Sequence, residues 1–230
     1  MDCKTEFEGI VSVCPDCSEK RLRIEQDAAA ANRARLRTAA WLSLCPLAYQ
    51  HTDWKRTSRL CAKLAEFWTP GAEGKNNLIL YGTTGAGKTR AAFAILQRMH
   101  QSGKNVYAIH AGDAWDKGEH VQGMSSAARL IFSDDNRVAD AATQCLRRAR
   151  VCSLLLIDDL GKERSDTKTG QLSEAVGEAL FGLIEFRLVN RLPTIITTNM
   201  SGDALQKRLG PDRGGPLLRR FQDESLMPAI

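Results

Sequence analysis

A glycine-rich segment in the first half of the chain has the residues of a phosphate-binding loop. Gly82 and Gly87 are separated by four residues and are followed directly by Lys88 and Thr89. Glycines let backbone N–H groups turn inward around a phosphate, a lysine reaches the β- and γ-phosphates, and a hydroxyl ligates Mg²⁺. We therefore expect an ATP site in which Lys88 faces solvent as a catalytic phosphate ligand. The expected cofactor-binding residues are Gly82, Thr83, Thr84, Gly85, Ala86, Gly87, Lys88, Thr89 and Arg90.

Two acidic residues follow an apolar run later in the chain. Residues 154–157 are all Leu or Ile, which predicts a strand buried on both faces, and Asp158 and Asp159 come next. Ligands of open α/β sheets bind at the carboxyl ends of the strands. We expect Thr89 and Asp158 to hold Mg²⁺, Asp158 through the water shell of the ion, and Asp159 to orient or deprotonate an attacking water. An ordinary polar strand end is the alternative.

A second buried run ends in an amide instead of an acid. Residues 195–198 are apolar or Thr, and Asn199 follows them. An amide at a neighbouring strand end can hydrogen-bond the attacking water or a γ-phosphate oxygen. Asn is also common at strand ends for conformational reasons alone. Beside the two elements above, we assign Asn199 a catalytic role.

The elements that must position these residues alternate along the chain. Short apolar runs that predict strands are separated by segments with helical periodicity, which indicates a parallel sheet covered by helices on both faces. The predicted strands are residues 78–81, 105–109, 153–157, 193–198 and a short fifth strand at 226–230. The predicted helices are residues 88–101, two helices ending near 150, and 171–190.

The region before the first predicted strand is expected to be an appendage of the predicted α/β domain. Residues 18–42 predict a polar helix with Ser18 as its N-cap, and a second helix is expected at 57–68. We predict an N-terminal adaptor at residues 1–45, a linker and helix at 46–76, and an ATPase domain at 77–230.

The adaptor contains a C-x₂-C pair, Cys14 and Cys17, and Cys3 offers a third thiolate. This spacing is typical of a Zn²⁺ knuckle, although two reduced thiols beside a turn are an equal alternative. A fourth ligand is not evident, and Cys45, His51 and Cys61 are distant candidates. The other histidines, His100, His110 and His120, lack metal-ligand spacing and are assigned no role.

Composition and charge set broad limits on the protein. The 230 residues carry a net charge of +5, and the N-terminus lacks a secretory signal pattern, so we expect a cytoplasmic protein without membrane contact. Basic residues cluster within 33–63 and 207–220, which suits a nucleic-acid backbone or a solvated helix face equally.

The motifs, taken in order, resemble those of the DnaC/IstB group of AAA+ ATPases. The resemblance rests on residues 158–161 (Asp-Asp-Leu-Gly), 184–187 (Ile-Glu-Phe-Arg) and 192–199, and it extends from about Leu78 to Phe221. This group contains bacterial and phage loaders of replicative helicases and the ATPase helpers of certain transposases. The resemblance implies that Asp158 is the Walker B magnesium residue, Asp159 the catalytic acid and Asn199 the sensor 1 residue.

The resemblance also implies oligomers in which one subunit supplies an arginine finger to its neighbour. The matching segment contains Arg220, which we select as the catalytic finger, with Arg219 as the alternate. The expected function is therefore an ATPase that places a hexameric replicative helicase on single-stranded DNA. A transposition helper is the nearest alternative. A nucleotide-gated DNA-binding protein with little hydrolysis is another, because Asp159 is one carbon shorter than the Glu common at this position and is expected to hold the water less well.

Overall fold

The chain folds into two compact units, Met1–Ser43 and Leu44–Ile230. The computed structural model describes residues 4–7, 10–13, 15–51, 57–113, 123–163, 170–228 and 230. Among these residues, each helix is too short or too polar to cross a bilayer. The functional division predicted after residues 45 and 76 stays a prediction.

The first unit contains a hairpin and a long helix. Strands β1 (Lys4–Phe7) and β2 (Ile10–Val13) pair in antiparallel fashion, with Lys4 opposite Val13. Helix α1 (Pro15–Leu44) follows, which confirms an N-terminal helix. The helix begins at a proline, a residue suited to the first helical turn, so the assignment of Ser18 as its N-cap was wrong. The sequence analysis also missed the hairpin, because two four-residue strands leave almost no periodic signal.

The second unit is built on a sheet of five parallel strands, as predicted. They are β3 (Asn77–Tyr81), β4 (Val106–His110), β5 (Leu154–Leu160), β6 (Thr194–Thr198) and β7 (Ser225–Leu226). Their spatial order is β4-β5-β6-β3-β7. Strands β3 to β6 are almost wholly buried, which explains their continuous apolar runs.

Helices cover this sheet. Those named in the sequence analysis form close to the predicted bounds, and two further helices follow β6. The helices of the unit are α2 (Leu47–Gln50), α3 (Arg59–Phe67), α4 (Lys88–Gln101), α5 (Met124–Leu130), α6 (Asn136–Val151), α7 (Glu174–Val189), α8 (Gly202–Leu209) and α9 (Pro211–Asp223). Both α2 and α3 pack against α4, so the predicted linker region belongs to the same compact unit as the sheet.

The strand order creates a crevice at one edge of the sheet. The chain leaves β3 through α4 and passes beyond β6 and β5 to reach β4, whereas it leaves β6 in the opposite direction to reach β7. Such a reversal opens a crevice at the carboxyl ends of the strands on either side of it. The loop after β3 and the end of β6 therefore meet at the place where a ligand is expected.

A buried arginine joins the amino-terminal ends of the strands, away from the crevice, to the helices that cover the sheet. Arg187 on α7 is 1% exposed. Its guanidinium donates to the carbonyl oxygens of Ala149, Arg150, Cys152 and Pro193 and to Thr194 Oγ1, at distances of 2.5–3.2 Å. Three of these carbonyls end α6, where a helix leaves acceptors unsatisfied and favours a cation. Arg187 therefore caps α6 and ties α7 to β6.

Replacing Arg187 with Met should destabilise the fold without touching the crevice. We expect the free energy of unfolding to fall by at least about 3 kcal/mol, since each buried acceptor left without a donor costs about 1–3 kcal/mol. Urea denaturation measures the change. The control is Arg147→Met, an exposed arginine on α6, for which a change within about 0.5 kcal/mol is expected. Equal effects of the two substitutions would contradict the capping role.

Candidate nucleotide-binding site

The loop between β3 and α4 adopts a backbone that requires glycine. Gly82 has φ of +142° and Gly87 has φ of +93°, in the region that side-chain-bearing residues avoid. Space is also closed to a side chain at both positions. A Cβ on Gly82 would lie 1.9 Å from the carbonyl oxygen of Ile230, and one on Gly87 would lie 2.8 Å from Thr57 Cγ2. Residues 83–85 between them are exposed and open to a ligand.

Lys88 begins α4 and is held by three hydrogen bonds. Its Nζ donates to the carbonyl oxygens of Gly82 at 3.0 Å and Thr83 at 2.7 Å, and to Asn199 Oδ1 at 2.8 Å. The residue is 5% exposed, so the expectation that it faces solvent was wrong. Burial lowers the pKa of Lys88, against the nearby charge of Asp159. An ammonium has three donors, so a phosphate must take the place of one of these partners.

Asp158 lies at the centre of the site with a buried carboxylate. The residue is 1% exposed, and its Oδ1 accepts hydrogen bonds from Thr89 Oγ1 at 2.8 Å and Thr197 Oγ1 at 2.6 Å. One oxygen thus links the first turn of α4 to β5 and β6. The predicted approach of Thr89 and Asp158 is present in the structure.

A β-bulge in β5 places Asp159. Between Ile157 and Leu160, β5 advances by three residues while β6 advances by two, from Ile196 to Thr198. Asp159 takes up the extra residue with φ of +57°, and its backbone N–H donates to Thr197 Oγ1 at 2.9 Å. Successive residues of a regular strand point to opposite faces. The bulge changes this alternation, so that carboxylate oxygens of Asp158 and Asp159 lie within 4.8 Å of each other and of a His110 ring nitrogen.

Two cationic or hydrogen-bonding groups face the Asp159 carboxylate. His110 Nε2 lies 3.7 Å from Oδ2, and Lys162 Nζ lies 2.8 Å from the same oxygen. Together they lower the pKa of Asp159 to about 2, with His110 the larger contributor and burial acting in the opposite direction. Only the Lys162 contact is within hydrogen-bonding distance. His110 Nδ1 accepts the backbone N–H of Gly112 at 3.1 Å, so the neutral ring carries its proton on Nε2.

The donor set fits a magnesium ion. Mg²⁺ prefers hard oxygen ligands and keeps several of its waters. Thr89 and Asp158 supply a hydroxyl and a carboxylate that are already 2.8 Å apart. His110 and Asp159 are adjacent, but Asp159 pairs with Lys162, a cation that disfavours a second positive charge there. Thr89 and Asp158 are therefore the residues that would hold the ion.

Comparison with known proteins identifies the family. The model of the family described as IstB-like ATP binding protein matches residues 31–213. The chain belongs to the IstB-like ATP-binding protein family. No curated protein matches the sequence.

Three solved structures are similar to this IstB-like chain in fold. DnaI superposes with a TM-score of 0.53 at 19% identity, covering 75% of this chain and 81% of DnaI. A structure described as a primosome component from Streptococcus pyogenes serotype M3 gives 0.52 at 19%, covering 81% and 89%. The replication initiator DnaA bound to AMPPCP and single-stranded DNA gives 0.52 at 16%, covering 77% and 50%. These likenesses confirm the AAA+ P-loop fold.

Arg90 points away from the glycine loop, towards α2. Its guanidinium donates to the carbonyl oxygen of Ala48 at 3.2 Å and lies 5.7 Å from the centre of the Tyr49 ring. That ring stacks on Phe93 with centroids 5.0 Å apart. Arg90 therefore helps to fix α2 on α4, and its assignment to the nucleotide stays a prediction.

The finger candidates lie on α9. Leu217 and Leu218 pack against the hydrophobic core, which leaves Arg219 and Arg220 exposed on the helix surface. Arg220 pairs with Glu185 on α7 at 3.0 Å, with both side chains more than half exposed. Arg187, the arginine of the 184–187 motif, is by contrast buried and so is not available to a neighbouring subunit.

The zinc hypothesis is not tested by the described residues. Cys3 and Cys14 lie outside them, and Cys17 lies in α1. Two of the distant candidates for a fourth ligand are poor donors. Cys45 and Cys61 are buried, and burial raises the pKa of both thiols, that of Cys45 to about 12, so they stay protonated.

Three residues of the site were missed by sequence reasoning. Thr197 links the two acids, and His110 and Lys162 face Asp159. The decision to give His110 no role was wrong, because it ends the strand beside β5, directly opposite Asp158. That position could have been noticed from the sequence. The contact of Lys162 with Asp159 could not, because it depends on the bulge and the turn that follows.

Replacing Lys88 with Ala should weaken ATP binding by about tenfold or more, since a charge-assisted hydrogen bond contributes about 1.5–3 kcal/mol. A fluorescence titration with an ATP analogue measures the change. The fold should survive, because the replaced ammonium leaves only loop carbonyls and one exposed amide. Thermal melting checks this against Leu156→Ala in the buried strand β5. Unchanged affinity, or a melting temperature as low as that of Leu156→Ala, would contradict the assignment.

Proposed function

We propose that this IstB-like protein hydrolyses ATP and uses the cycle to place a hexameric replicative helicase on single-stranded DNA. The observation that carries the proposal is the joined site at the crevice. Lys88 contacts Asn199, Thr89 contacts Asp158, and Asp159 lies beside them on the same sheet edge. Phosphate binding, metal binding and water orientation are thereby brought together, as hydrolysis requires.

The residues divide the chemistry among them. The inward backbone N–H groups of the glycine loop and the N-terminus of α4 receive the β-phosphate, and Lys88 neutralises the β- and γ-phosphates. When Lys88 leaves Asn199 Oδ1 for the phosphates, that oxygen can accept from the attacking water, and the amide N–H can donate to a γ-phosphate oxygen, which lets Asn199 report whether that phosphate is present. Asp159 orients the attacking water. Mg²⁺, held at Thr89 and Asp158, would neutralise charge on the transferred phosphoryl group.

The choice of partner rests on the proteins with the same fold. One similar structure is described as a primosome component, and another is an initiator that holds single-stranded DNA. These descriptions concern those proteins, and they support a replication role for this one. We propose that residues 1–45 form the adaptor that contacts the helicase in the cytoplasm, and that the basic residues within 33–63 contact DNA phosphates.

A loading assay tests the proposed function. The helicase of the same host would be mixed with closed circular single-stranded DNA, the full-length protein and ATP, and helicase retained on the circles would be measured after a salt wash. We expect loading only with protein and ATP together. The Asp159→Asn variant should bind ATP and the helicase but fail to release phosphate or complete loading.

Other outcomes point to the alternatives. Stimulation of a transposase with no effect on the helicase would support the transposition helper. Normal loading by Asp159→Asn, or no phosphate release even with DNA and helicase present, would support the nucleotide-gated binding protein. Each of these three results would overturn the proposed function.

Arg220 is proposed to complete the site of a neighbouring subunit. A finger acting between subunits must be exposed, and the Arg220 side chain is 65% exposed and forms a surface ion pair with Glu185. Such pairs contribute little and can be exchanged. Directed at a γ-phosphate, the guanidinium can accelerate hydrolysis by about 10³–10⁵-fold.

A mixing experiment tests this prediction. Arg220→Ala should bind ATP without hydrolysing it, and Lys88→Ala should bind it at least about tenfold more weakly than wild type and fail to hydrolyse it. An equal mixture should recover part of the activity, because some interfaces pair an intact glycine loop with an intact finger. Phosphate release would be followed with single-stranded DNA present, at concentrations that permit assembly. An inactive mixture beside an active wild type would exclude Arg220, and Arg219 would be tested next.

A further inference from the structure

The turn that follows the two acids brings a lysine back onto one of them. Within residues 159–162, the backbone N–H of Lys162 donates to the carbonyl oxygen of Asp159 at 3.0 Å, and Gly161 has φ of +107°. The turn directs the Lys162 side chain towards the site, where Nζ lies 2.8 Å from Asp159 Oδ2. We call residues 159–162 the acid turn.

A buried carboxylate anchors the acid turn. Glu163 is 3% exposed, and both of its oxygens accept the backbone N–H of Gly161 at 2.9 Å. Arg208 on α8 approaches the same carboxylate at 3.5 Å and also donates to the carbonyl oxygen of Glu163. Burying an ionised group is costly unless it is paired and hydrogen-bonded. These contacts therefore stabilise the conformation of the acid turn in which Lys162 meets Asp159.

Two close contacts enclose the turn. A Cβ on Gly161 would lie 2.3 Å from Met200 Sδ, and a Cβ on Gly112 would lie 2.7 Å from the carbonyl oxygen of Lys162. Met200 directly follows Asn199, which accepts the hydrogen bond from Lys88. The acid turn is thus packed against the segment that carries the proposed phosphate sensor.

We propose that Lys162 is a restraining residue of the ATPase site, whose ammonium occupies the Asp159 oxygen needed to orient the attacking water. This inference rests on the proposed hydrolysis of ATP. Turnover then requires the ion pair to open. The pair is suited to opening, because the Lys162 side chain is 58% exposed and the Asp159 side chain 21% exposed, and exposed pairs are weak.

The packing supplies a route for release. When Lys88 leaves Asn199 Oδ1 to bind the γ-phosphate, the segment that contains Met200 loses that hydrogen bond and becomes free to shift. The Met200 side chain packs against Gly161 and occupies the space that a Cβ there would need. Phosphate recognition at β6 thereby acts on the position of Lys162 without any contact between Lys162 and the nucleotide.

Substitution of Lys162 changes kcat in opposite directions for the two roles that a lysine could have here. If it restrains Asp159, Lys162→Ala raises kcat measured without DNA or helicase by about two- to fivefold, the scale by which a weak ion pair shifts an equilibrium. ATP affinity and melting temperature stay at the wild-type values, and the stimulation ratio with DNA and helicase falls. If instead the ammonium assists the reaction directly, kcat falls. A lowered or unchanged kcat overturns the proposal.

Two further variants separate the ion pair from a general effect of charge. Lys162→Arg keeps a cation on the turn and should return kcat towards the wild-type value. Lys104→Ala removes an exposed lysine before β4, at the opposite end of the strands, and should leave kcat unchanged. A rise in kcat with Lys104→Ala equal to that with Lys162→Ala would also overturn the proposal.

A binding measurement keeps this test separate from that of the proposed function. ADP with aluminium fluoride mimics the phosphoryl group during transfer, and its binding needs no turnover. Lys162→Ala should bind this complex about two- to fivefold more tightly than wild type does, with the affinity for ADP alone unchanged. If no variant releases phosphate, the proposed hydrolysis fails. The ratio of the affinities of Lys162→Ala and wild type for ADP with aluminium fluoride then still decides the role of Lys162. Equal affinities of the two proteins for the complex would overturn it.

Discussion

The buried Asp158 carboxylate is the interaction on which the geometry of the site depends. An ionised group that is 1% exposed must be compensated by hydrogen bonds or by a metal ion. Thr89 and Thr197 meet this need on a single oxygen, and they belong to α4 and β6. Moving the start of α4 away from β6 would therefore break at least one of these hydrogen bonds to a buried carboxylate. This constraint keeps Lys88 within reach of Asn199 and makes the crevice a preorganised site.

The backbone at Asp159 explains why the second acid is Asp and not Glu. Its φ of +57° belongs to the left-handed region, which Asp and Asn enter more readily than other side-chain-bearing residues. The shorter side chain was expected to hold water less well. The bulge also repositions the backbone of Asp159, so the reach of its carboxylate towards a water does not follow from the length of the side chain alone. The choice of Asp follows from the conformation of the strand end.

The parts of the site that sequence reasoning could predict are those set by local pattern. The glycine loop precedes a helix, and Asp158 and Asn199 follow buried strands, so the rule that parallel strands end at one edge brings them together. The contact between Lys88 and Asn199 follows from that rule. Helix α4 was predicted to the residue, and the bounds predicted for α1 and α7 differ from the observed ones by at most three residues at each end, since the periodicity of long helices is strong.

The parts that could not be predicted depend on details of the register. Thr197 becomes the link between the two acids only because β5 shifts by one residue against β6. Arginine is a residue type that usually lies at the surface. Arg187 is buried because the C-terminal end of α6 and the start of β6 meet beside it. Neither a one-residue shift between two strands nor a contact between elements that are distant in sequence leaves a pattern in the local sequence. Propensity and periodicity therefore predict the elements of this fold better than the contacts that join them.

The charges around Asp159 also indicate how the acid works. With a pKa of about 2, the carboxylate is a weak proton acceptor at neutral pH, whereas an efficient general base has a pKa near the working pH. Phosphoryl transfer depends mainly on positioning and electrostatic stabilisation, so a carboxylate that orients water without taking its proton is sufficient. Opening the contact with Lys162 would free Oδ2 and raise the pKa of Asp159 at the same time. Both changes favour the interaction with water, so one movement of the turn governs the position and the basicity of the acid together.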